Sequence, residues 1–540
     1  MLQVYDRVLP ARSVPTLIGL TVLMVGLYAA FGILDHLRSR VIAGISVRFD
    51  RHLRSHAFAA VLQAPLRMAD RNEAARPTRD LDQIRVFLTG PGPASLCDMP
   101  WLPVYLALVF LLHPLLGLLA TGGALILVAF TALTEARSRN PARASAKSAA
   151  NRQLCIEAAR RNAEIIQALG LGPRLAGQWH KHSERLLDDQ RRAMAVTGGF
   201  GSAARVFRLI LQSALLGLGA YVVIKGEATA GVMIASSIMT SRALAPIEGA
   251  IANWRGFMGA RQSYERLRRI FGAMPEMREH LSLPRPKRDV TVDALFVAAP
   301  GEQQPIVSNI SFSLLAGEAL GVIGPSASGK STLARALVGA WPALRGTIRL
   351  DGAALDQWEP EALGRDTGYV PQDVELFDGT VSENIARLEA SPPSEAVIAA
   401  ARAAGVHEMI LGLADGYSTR IGEGGAMLSA GQRQRIALAR ALYGDPFFVV
   451  LDEPNSNLDA EGDAALADAI AGVRARGGIV VVVAHRPAAL SAVDKLAVLA
   501  NGQVQAFGPK DEVLAKVIQP VGKPRPQFIP QAATAGRVRS

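Results

Sequence analysis

The chain has 540 residues, of which 50% are hydrophobic and 19% are charged, and its formal net charge is +11 at pH 7. A chain of this length is too long for one compact domain, and its apolar content is typical of a membrane-embedded part joined to a water-facing part. A basic balance can indicate nucleic-acid binding, but the chain shows no basic stripe with interleaved aromatic residues, which excludes that class.

Five apolar segments in the first half of the chain are predicted to cross a membrane. The first carries no charged residue and has about 20 residues, the length that a helix needs to span a bilayer. A cleavable signal peptide is the alternative, but the segment is long and lacks a small-residue cleavage pattern. The second and third segments are predicted to form a helical hairpin that turns at His113 and Pro114, and the last two form another that turns at Lys225, Gly226 and Glu227. In chain order the segments are 15–34, 101–112, 115–133, 205–224 and 228–247.

Long charged segments separate these spans at residues 36–96 and 136–200. Many of the positive charges lie there, so the positive-inside rule predicts that both segments are cytosolic. Arg242 and Glu248 lie in or just after the last span. A charge at membrane depth usually lines a lumen or a transport pathway, whereas a long arginine side chain can also extend to the interface. We favour the second interpretation, because Arg242 lies roughly 20 Å along the span from its far end.

The second half of the chain begins after a junction at residues 281–288, which contains two prolines and several charges. We therefore predict a transmembrane domain over residues 1–280 and a water-facing domain over residues 281–518. Residues 519–540 contain four prolines and no apolar periodicity, which predicts a flexible tail.

A glycine-rich segment lies between a predicted buried strand at 320–323 and a predicted helix at 332–338. This order of strand, loop and helix is that of a phosphate-binding loop, and it argues against a chance match in a glycine-rich chain. Backbone N–H groups and the positive end of a helix suit a polyphosphate. We expect Lys330 to reach the β- and γ-phosphates and Ser331 to ligate Mg²⁺. The candidate nucleotide-binding residues here are Gly324, Pro325, Ser326, Ala327, Ser328, Gly329, Lys330, Ser331 and Thr332.

A second apolar run, at 447–451, suits a strand that is buried on both faces, and Asp452 and Glu453 follow it. The carboxyl ends of such strands are where α/β sheets bind ligands. We expect Asp452 to hold Mg²⁺ directly or through water, and Glu453 to polarise the attacking water. The alternative is two ordinary surface acids, and the phosphate-binding loop upstream weakens it.

Three further motifs accompany the loop and the two acids. Gln372 lies in Val-Pro-Gln-Asp, residues 428–432 read Leu-Ser-Ala-Gly-Gln before a helical pattern at 433–442, and His485 follows an apolar run. The ordered set resembles the ATPase domain of ABC transporters. The resemblance implies an all-α transmembrane helical domain followed by an α/β P-loop ABC-type ATPase domain, with ATP and Mg²⁺ as cofactors.

The resemblance also implies that the nucleotide lies between two subunits. Ser429 and the amide of Gly431, with Gln432 beside them, would then touch the γ-phosphate that the other subunit binds. Asp459 lies in the stretch Asn-Leu-Asp, which looks like the loop that links the two sites across the dimer. The family usually has glycine where this chain has Ala430, and a methyl group there is expected to affect hydrolysis more than nucleotide binding.

Other roles follow from the same resemblance. Gln372 would sense Mg²⁺ and the attacking water, and it is a candidate metal ligand with Ser331 and Asp452. His485 would hold the γ-phosphate, so the candidate catalytic residues are Glu453, His485, Lys330 and Gln372. ABC ATPases commonly stack an aromatic side chain on the adenine, from a strand before the phosphate loop. Phe296 is the one aromatic residue at residues 294–300, and it is either that residue or part of the core.

Several strings resemble one branch of the family, the bacterial type I protein secretion ATPases close to the alkaline protease exporters. The family has six spans in each half-transporter, and the opening residues of this chain resemble the segment that follows the first of them. We therefore expect the first family span to be missing, through a late assigned start or a truncation. The matching strings are 1–10, 242–248, 376–381 and 452–459.

The resemblance implies ATP-driven export of a protein across the inner membrane, as the engine of a type I secretion system. The expected form is a multi-pass homodimer in membrane lipid with a cytoplasmic ATPase domain. The expected partners are a periplasmic membrane-fusion adaptor, an outer-membrane channel and a secreted substrate with a C-terminal signal, and no nucleic acid. The main alternative is an exporter of lipid or small amphiphilic molecules. A chromosome-binding structural ATPase would need coiled coils between the motifs, and an inactive remnant has only Ala430 and the missing span in its favour.

Overall fold

The computed structural model describes residues 2–68, 76–274, 283–484 and 490–517. The chain divides into two compact units: residues 1–64 and 72–274 form the first, and residues 65–71 and 275–540 form the second. Two predictions lie outside the described residues, namely the catalytic role of His485 and the flexible tail at 519–540.

The first unit is built from helices, which confirms the predicted class of its fold. Three of these helices have 50, 48 and 53 residues, so each continues far beyond its apolar segment into charged sequence. The charged continuations are rich in alanine, arginine and leucine, which are good helix formers. After a π-helical turn at Val4–Val8, the helices are α1 (Leu9–Ala11), α2 (Val14–Gln63), α3 (Pro77–Thr89), α4 (Gly92–Asp98), α5 (Leu102–Leu112), α6 (Pro114–Arg161), α7 (Ala163–Ala168), α8 (Gly172–Ile224), α9 (Ala230–Ala252) and α10 (Trp254–Gly272).

The helices end where the turns were predicted. His113 has an extended backbone (φ −163°, ψ 129°) between α5 and α6, and its Nδ1 accepts a hydrogen bond from the N–H of Leu115 at 3.3 Å. Thr229 is the N-cap of α9, and its hydroxyl accepts a hydrogen bond from the N–H of Val232 at 3.3 Å. Five described segments are long and apolar enough to cross a membrane by length and composition, and each overlaps one predicted span: Val14–Leu66, Gly92–Leu112, Pro114–Arg161, Gly172–Ile224 and Ala230–Ala252.

The charges of the last span have partners inside the first unit. Glu248 forms an ion pair with Arg208 of α8, with 2.5 Å between its Oε1 and Nε of the arginine. The guanidinium carbon of Arg242 lies 5.9 Å from the ring centroid of Phe31 in α2. The sequence pattern indicated neither pairing, because the partners lie on helices that are distant along the chain.

The second unit is an α/β domain with two sheets, as predicted for the ATPase half. A six-stranded sheet has the order β10-β9-β3-β8-β7-β6, and a four-stranded sheet has the order β2-β1-β4-β5. The strands are β1 (Asp289–Ala298), β2 (Pro305–Leu315), β3 (Ala319–Ile323), β4 (Arg345–Leu350), β5 (Ala353–Ala354), β6 (Thr367–Val370), β7 (Phe448–Asp452), β8 (Ile479–Val483), β9 (Lys495–Ala500) and β10 (Gln503–Pro509).

Parallel pairing in the larger sheet positions the site. Strands β9, β3, β8, β7 and β6 run parallel to one another, and every residue of β7 and β8 is buried. Their carboxyl ends therefore meet at one edge, where β3 leads into the phosphate loop and β7 ends at Asp452. The helices of this unit are α11 (Lys330–Leu337), α12 (Pro360–Asp366), α13 (Val381–Ile385), α14 (Ser394–Ala403), α15 (His407–Leu411), α16 (Ala430–Leu442), α17 (Ala460–Ala475) and α18 (Lys510–Val517).

Candidate functional site

The phosphate loop leaves β3 and turns directly into α11. The backbone of Gly329 is left-handed (φ 99°), and Gly329 is the N-cap of the helix. The helix therefore begins at Lys330, earlier than the predicted start at Thr332. Lys330 and Ser331 lie in the first helical turn, where the free N–H groups and the helix dipole favour an anion.

Lys330 is almost fully buried, with 5% of its surface exposed. Its Nζ donates to the carbonyl oxygens of Gly324 and Pro325 at 3.0 and 2.8 Å, so the side chain reaches back across the loop. Burial lowers the pKa of Lys330, and the nearby charges of Glu453 and Asp452 oppose that shift. A buried cation held by carbonyl groups inside a glycine-rich loop is suited to meet phosphate oxygens.

Asp452 closes the other side of the loop. It is fully buried, and its Oδ1 accepts a hydrogen bond from the hydroxyl of Ser331 at 3.2 Å. Burial raises the pKa of Asp452, and the Ser331 hydrogen bond opposes that rise. Its Oδ2 is buried and has no hydrogen-bond partner among the residues that the structure describes. An unpaired carboxylate oxygen beside a hydroxyl is the oxygen donor set that Mg²⁺ prefers, so these two residues fit the predicted metal site.

Glu453 follows directly and is joined to Gln372. The Nε2 of Gln372 donates to Oε2 of Glu453 at 3.1 Å, although the two residues are far apart along the chain. Glu453 has a left-handed backbone (φ 51°), and its N–H donates to the carbonyl of Val483 at 2.9 Å. Non-glycine residues in this conformation carry strain that is characteristic of functional sites. The structure thus brings together the phosphate loop, both acids and Gln372, as the sequence predicted.

Residues 428–432, here called the signature segment, form a second group of residues at the start of α16. The hydroxyl of Ser429 accepts from the N–H of Gln432 at 3.2 Å, and Oε1 of Gln432 accepts from the N–H of Ser429 at 2.9 Å. This reciprocal pair is a capping box. Ser429 and Ala430 are exposed, so the start of the helix, with Gly431 in its first turn, lies at the surface of this chain. The contact of these residues with a nucleotide stays a prediction.

Asp459 has partners within its own chain. Its Oδ1 accepts from the N–H of Gly462 at 2.9 Å, which caps α17, and from the guanidinium of Arg435 at 2.5 Å. The Gly462 hydrogen bond is the largest cause of a lowered pKa at Asp459. The structure thus gives this residue a capping role, and its predicted role at the dimer interface stays a prediction.

Gln434 is a site residue that the sequence analysis missed. It is buried in α16, and its Nε2 donates to the carbonyls of Pro454 and Glu453 at 2.6 and 3.2 Å. Its Oε1 accepts from the N–H of Asn457 at 3.2 Å and from the hydroxyl of Ser456 at 3.3 Å. The side-chain amide of Gln434 therefore joins α16 to the backbone that carries Glu453. The available signal was a polar residue on the buried face of an otherwise apolar helix pattern.

Phe296 lies on β1 and is half-buried. It pairs with Arg345 of β4, and its carbonyl accepts a hydrogen bond from the N–H of Leu344 at 2.8 Å. Of the other predicted nucleotide-binding residues, 324–329 form the phosphate loop between β3 and α11, and Thr332 is buried in α11.

Comparisons with known proteins give two matching family models and a similar solved structure. A family model described as ABC transporter matches residues 307–456, and another described as ABC transporter transmembrane region matches residues 1–244. A solved structure of a bacterial Atm1-family ABC exporter with ATP bound is similar to the chain, with a TM-score of 0.80 and 23% identity, over 95% of this chain and 92% of that one. This likeness shows the fold.

Two curated relatives are similar over nearly the whole chain. The type I secretion system ATP-binding protein PrsD of Rhizobium meliloti (strain 1021) is 51% identical over 520 residues, which are 96% of this chain and 89% of that protein. The toxin RTX-I translocation ATP-binding protein of Actinobacillus pleuropneumoniae is 29% identical over 517 residues, which are 95% of this chain and 73% of that protein.

Proposed function

The chain belongs to the ABC transporter family, in its type I secretion branch, and we infer that it exports a protein substrate with energy from ATP hydrolysis. It is a multi-pass membrane protein with an ABC-type ATPase domain. The observation that carries the ATP-hydrolysis part of the inference is the hydrogen bond from Gln372 to Glu453, beside the buried Asp452. Relatives named for type I secretion and for toxin translocation supply the link to protein export.

The catalytic roles follow from the geometry. Glu453 would polarise the attacking water, and Gln372 would hold the carboxylate of Glu453 in place. Lys330 would hold the phosphate oxygens across the loop. Ser331 and Asp452 would hold Mg²⁺, which would supply neutralisation of the phosphate charge. We propose that Gly431 and Ser429 serve the nucleotide of a second copy, because their helix start lies exposed at the surface.

The proposed assembly is a homodimer in the inner membrane with its ATPase domains in the cytoplasm. It would work with a periplasmic adaptor and an outer-membrane channel, and its substrate would be a protein with a C-terminal signal. The positive charges of the segments between the spans support the cytoplasmic assignment. The names of the relatives support the secretion assignment.

The proposal is tested by comparing the proteins in the medium of cells that carry the intact chain or its Glu453→Gln variant. The change keeps the shape of the side chain but removes its charge, so we expect ATP hydrolysis to fall about 100-fold or more. At least one protein should then disappear from the medium and accumulate in the cells. Removing the C-terminal segment of that protein should have the same effect in cells with the intact chain.

Glu395→Gln is the matched control, because it makes the same chemical change at an exposed residue in the first turn of α14. We expect this variant to secrete and to hydrolyse ATP like the intact chain. If the intact chain and Glu453→Gln release the same proteins, while both are inserted and only the first hydrolyses ATP, protein export is contradicted. Transport of lipid or small amphiphiles would then be the function to measure.

A further inference from the structure

The turn between β9 and β10 lies against the phosphate loop. Its two residues, Asn501 and Gly502, both have a left-handed backbone (φ 51° and 75°), which is the conformation of a two-residue hairpin turn. The N–H of Gly502 donates to the carbonyl of Ser328 in the phosphate loop at 3.2 Å. The carbonyl of Gly502 accepts from the N–H of Ser308 in β2 at 2.8 Å. This one residue therefore joins the phosphate loop to the strand beside it.

The space around Gly502 excludes a side chain. A Cβ atom at this position would lie 2.1 Å from the carbonyl oxygen of Ile306. The neighbour is backbone and not a flexible side chain, so a methyl group would have to displace either the turn or β2. The turn and the phosphate loop would then separate, because their hydrogen bond is made by the same residue.

The phosphate loop itself is packed in the same close way. A Cβ atom on Gly324 would lie 2.0 Å from the carbonyl oxygen of Leu499, at the end of β9. One on Gly329 would lie 2.9 Å from Cγ2 of Val307 in β2. Gly324 is thus fitted against the backbone of β9 and Gly329 against the Val307 side chain of β2, so both ends of the loop pack closely on the strands that Gly502 connects.

The bond from Gly502 also sets the direction of an N–H group in the loop. A trans peptide is planar, and it holds its C=O and N–H groups antiparallel. The carbonyl of Ser328 points at Gly502, so the N–H of Gly329, in the same peptide plane, points away from the turn. Backbone N–H groups of such a loop are the donors that bind phosphate oxygens.

We propose that Gly502 is a positioning residue for nucleotide binding, which fixes the peptide between Ser328 and Gly329 from outside the phosphate loop. Its substitution should weaken the binding of ATP phosphates more than it slows the hydrolysis of bound ATP. The proposal concerns the ATP site alone and is independent of the exported cargo.

The chain supplies a matched control in a second hairpin turn. Asp351 and Gly352 connect β4 to β5, and their φ angles are 49° and 83°, close to those of Asn501 and Gly502. A Cβ atom on Gly352 would meet nothing within 4 Å. Alanine therefore brings the same left-handed strain to both turns, and the close approach is present only at Gly502.

The experiment uses the full-length chain in lipid nanodiscs and measures the KM and kcat of MgATP hydrolysis for Gly502→Ala and Gly352→Ala. We expect the KM of Gly502→Ala to rise about tenfold, the factor for one lost hydrogen bond, with kcat changed by about twofold or less. Gly352→Ala should keep the KM of the intact chain. Thermal unfolding without nucleotide should show that both variants fold, with Gly502→Ala the less stable, because only its turn meets a neighbouring backbone.

A KM of folded Gly502→Ala within about twofold of the intact chain would overturn the proposal, because one lost hydrogen bond changes affinity by more. An equal rise of KM in both variants would overturn it as well. If Gly502→Ala does not fold, Asn501→Gly replaces it as the test of the proposal, because this change loosens the turn without adding atoms. Faster deuterium exchange at residues 324–331 together with a raised KM then supports the proposal, and an unchanged KM overturns it.

Discussion

The two halves of the proposed nucleotide site satisfy their polar atoms in different ways. In the first half, formed by the phosphate loop and β7, Lys330 and Asp452 are buried charges, and Oδ2 of Asp452 has no hydrogen-bond partner among the described residues. In the second half, at the start of α16, Ser429 and Gln432 satisfy each other and are accessible to solvent. The first half is thus prepared for a ligand inside its own chain, whereas the second, in the proposed homodimer, would meet the ligand that the other copy binds.

The difference has consequences for stability. Burying an unpaired carboxylate is unfavourable, so the first half should be less stable without its ligands than the surrounding core. A capping box stabilises its helix with or without a ligand. Substitutions in the two halves should therefore affect stability and activity in different proportions.

The largest effect is expected for Asp452→Asn, which removes the proposed metal ligand. ATP hydrolysis should fall about 100-fold or more. In nucleotide-free buffer with chelator, the variant should be more stable than the intact chain at neutral pH, by roughly 1 kcal/mol. Because burial raises the pKa of Asp452, the folded chain binds this proton more tightly than the unfolded chain. Stability should fall as pH rises through and just above the ordinary carboxyl range, and Asp452→Asn should remove that fall.

Asp351 gives the opposite sign and is the control. Burial raises its pKa, but hydrogen bonds from the N–H groups of Asp289, Lys287 and Arg288 outweigh burial and hold the pKa of Asp351 below its usual value. Its contribution to stability is present at neutral pH and is lost as pH falls through the lowered pKa. Asp351→Asn should therefore destabilise the chain at neutral pH. If Asp452→Asn is less stable than the intact chain in the same thermal unfolding series, the unfavourable burial assigned to the Asp452 carboxylate is contradicted.

A smaller effect is expected for Gln434→Leu, which cuts the link between the two halves. The variant should lose the four hydrogen bonds that Gln434 makes around Glu453, so kcat should fall about tenfold while the KM for ATP changes little. The free energy of unfolding should fall by about 1–3 kcal/mol. Steady-state hydrolysis and urea unfolding of the purified chain measure both quantities.

The control for this variant is Asn384→Leu. Asn384 is a fully buried amide that bridges the backbone of Phe377 and Thr380, away from the two acids. Its loss should cost comparable stability and leave the turnover of folded molecules unchanged. Equal losses of turnover in both variants would mean that Gln434 acts through overall stability.

The phosphate loop could be predicted from sequence because its parts are local. A buried strand, a glycine-rich loop and a helix follow one another at 319–337, and residue types alone indicate the chemistry. The start of α11 at Lys330 differed from the prediction, because the left-handed Gly329 allows the helix to begin at once. The α/β class of this unit was predicted from the resemblance of the ordered motifs to those of ABC ATPases.

The links between segments were not predictable in the same way. Gln434 binds the backbone of the loop after β7, and Gly502 binds the backbone of Ser328. Both contacts join parts of the chain that are distant in sequence and use backbone atoms, which every residue type carries. The side-chain pattern therefore did not identify either backbone partner, although the polar Gln434 on the apolar face of α16 indicated that a partner exists. The ion pair of Glu248 with Arg208 was also missed, because the two residues lie on different helices and are distant in sequence.

The smallest effect is expected for Ser429→Ala, which separates the two halves most directly. The change removes the hydroxyl that is proposed to contact the γ-phosphate, a hydrogen bond of about 1 kcal/mol, so hydrolysis should fall about fivefold. Binding of a fluorescent ATP analogue should stay unchanged, because the phosphate-loop half is intact. Ser429→Thr should restore hydrolysis, since threonine also carries a hydroxyl and also caps helices.

The control is Thr380→Ala in another capping box of this unit, at α13, where the same stability loss should leave hydrolysis unchanged. Weaker binding in Ser429→Ala, or slower hydrolysis in Thr380→Ala, would show that the two halves are not distinct.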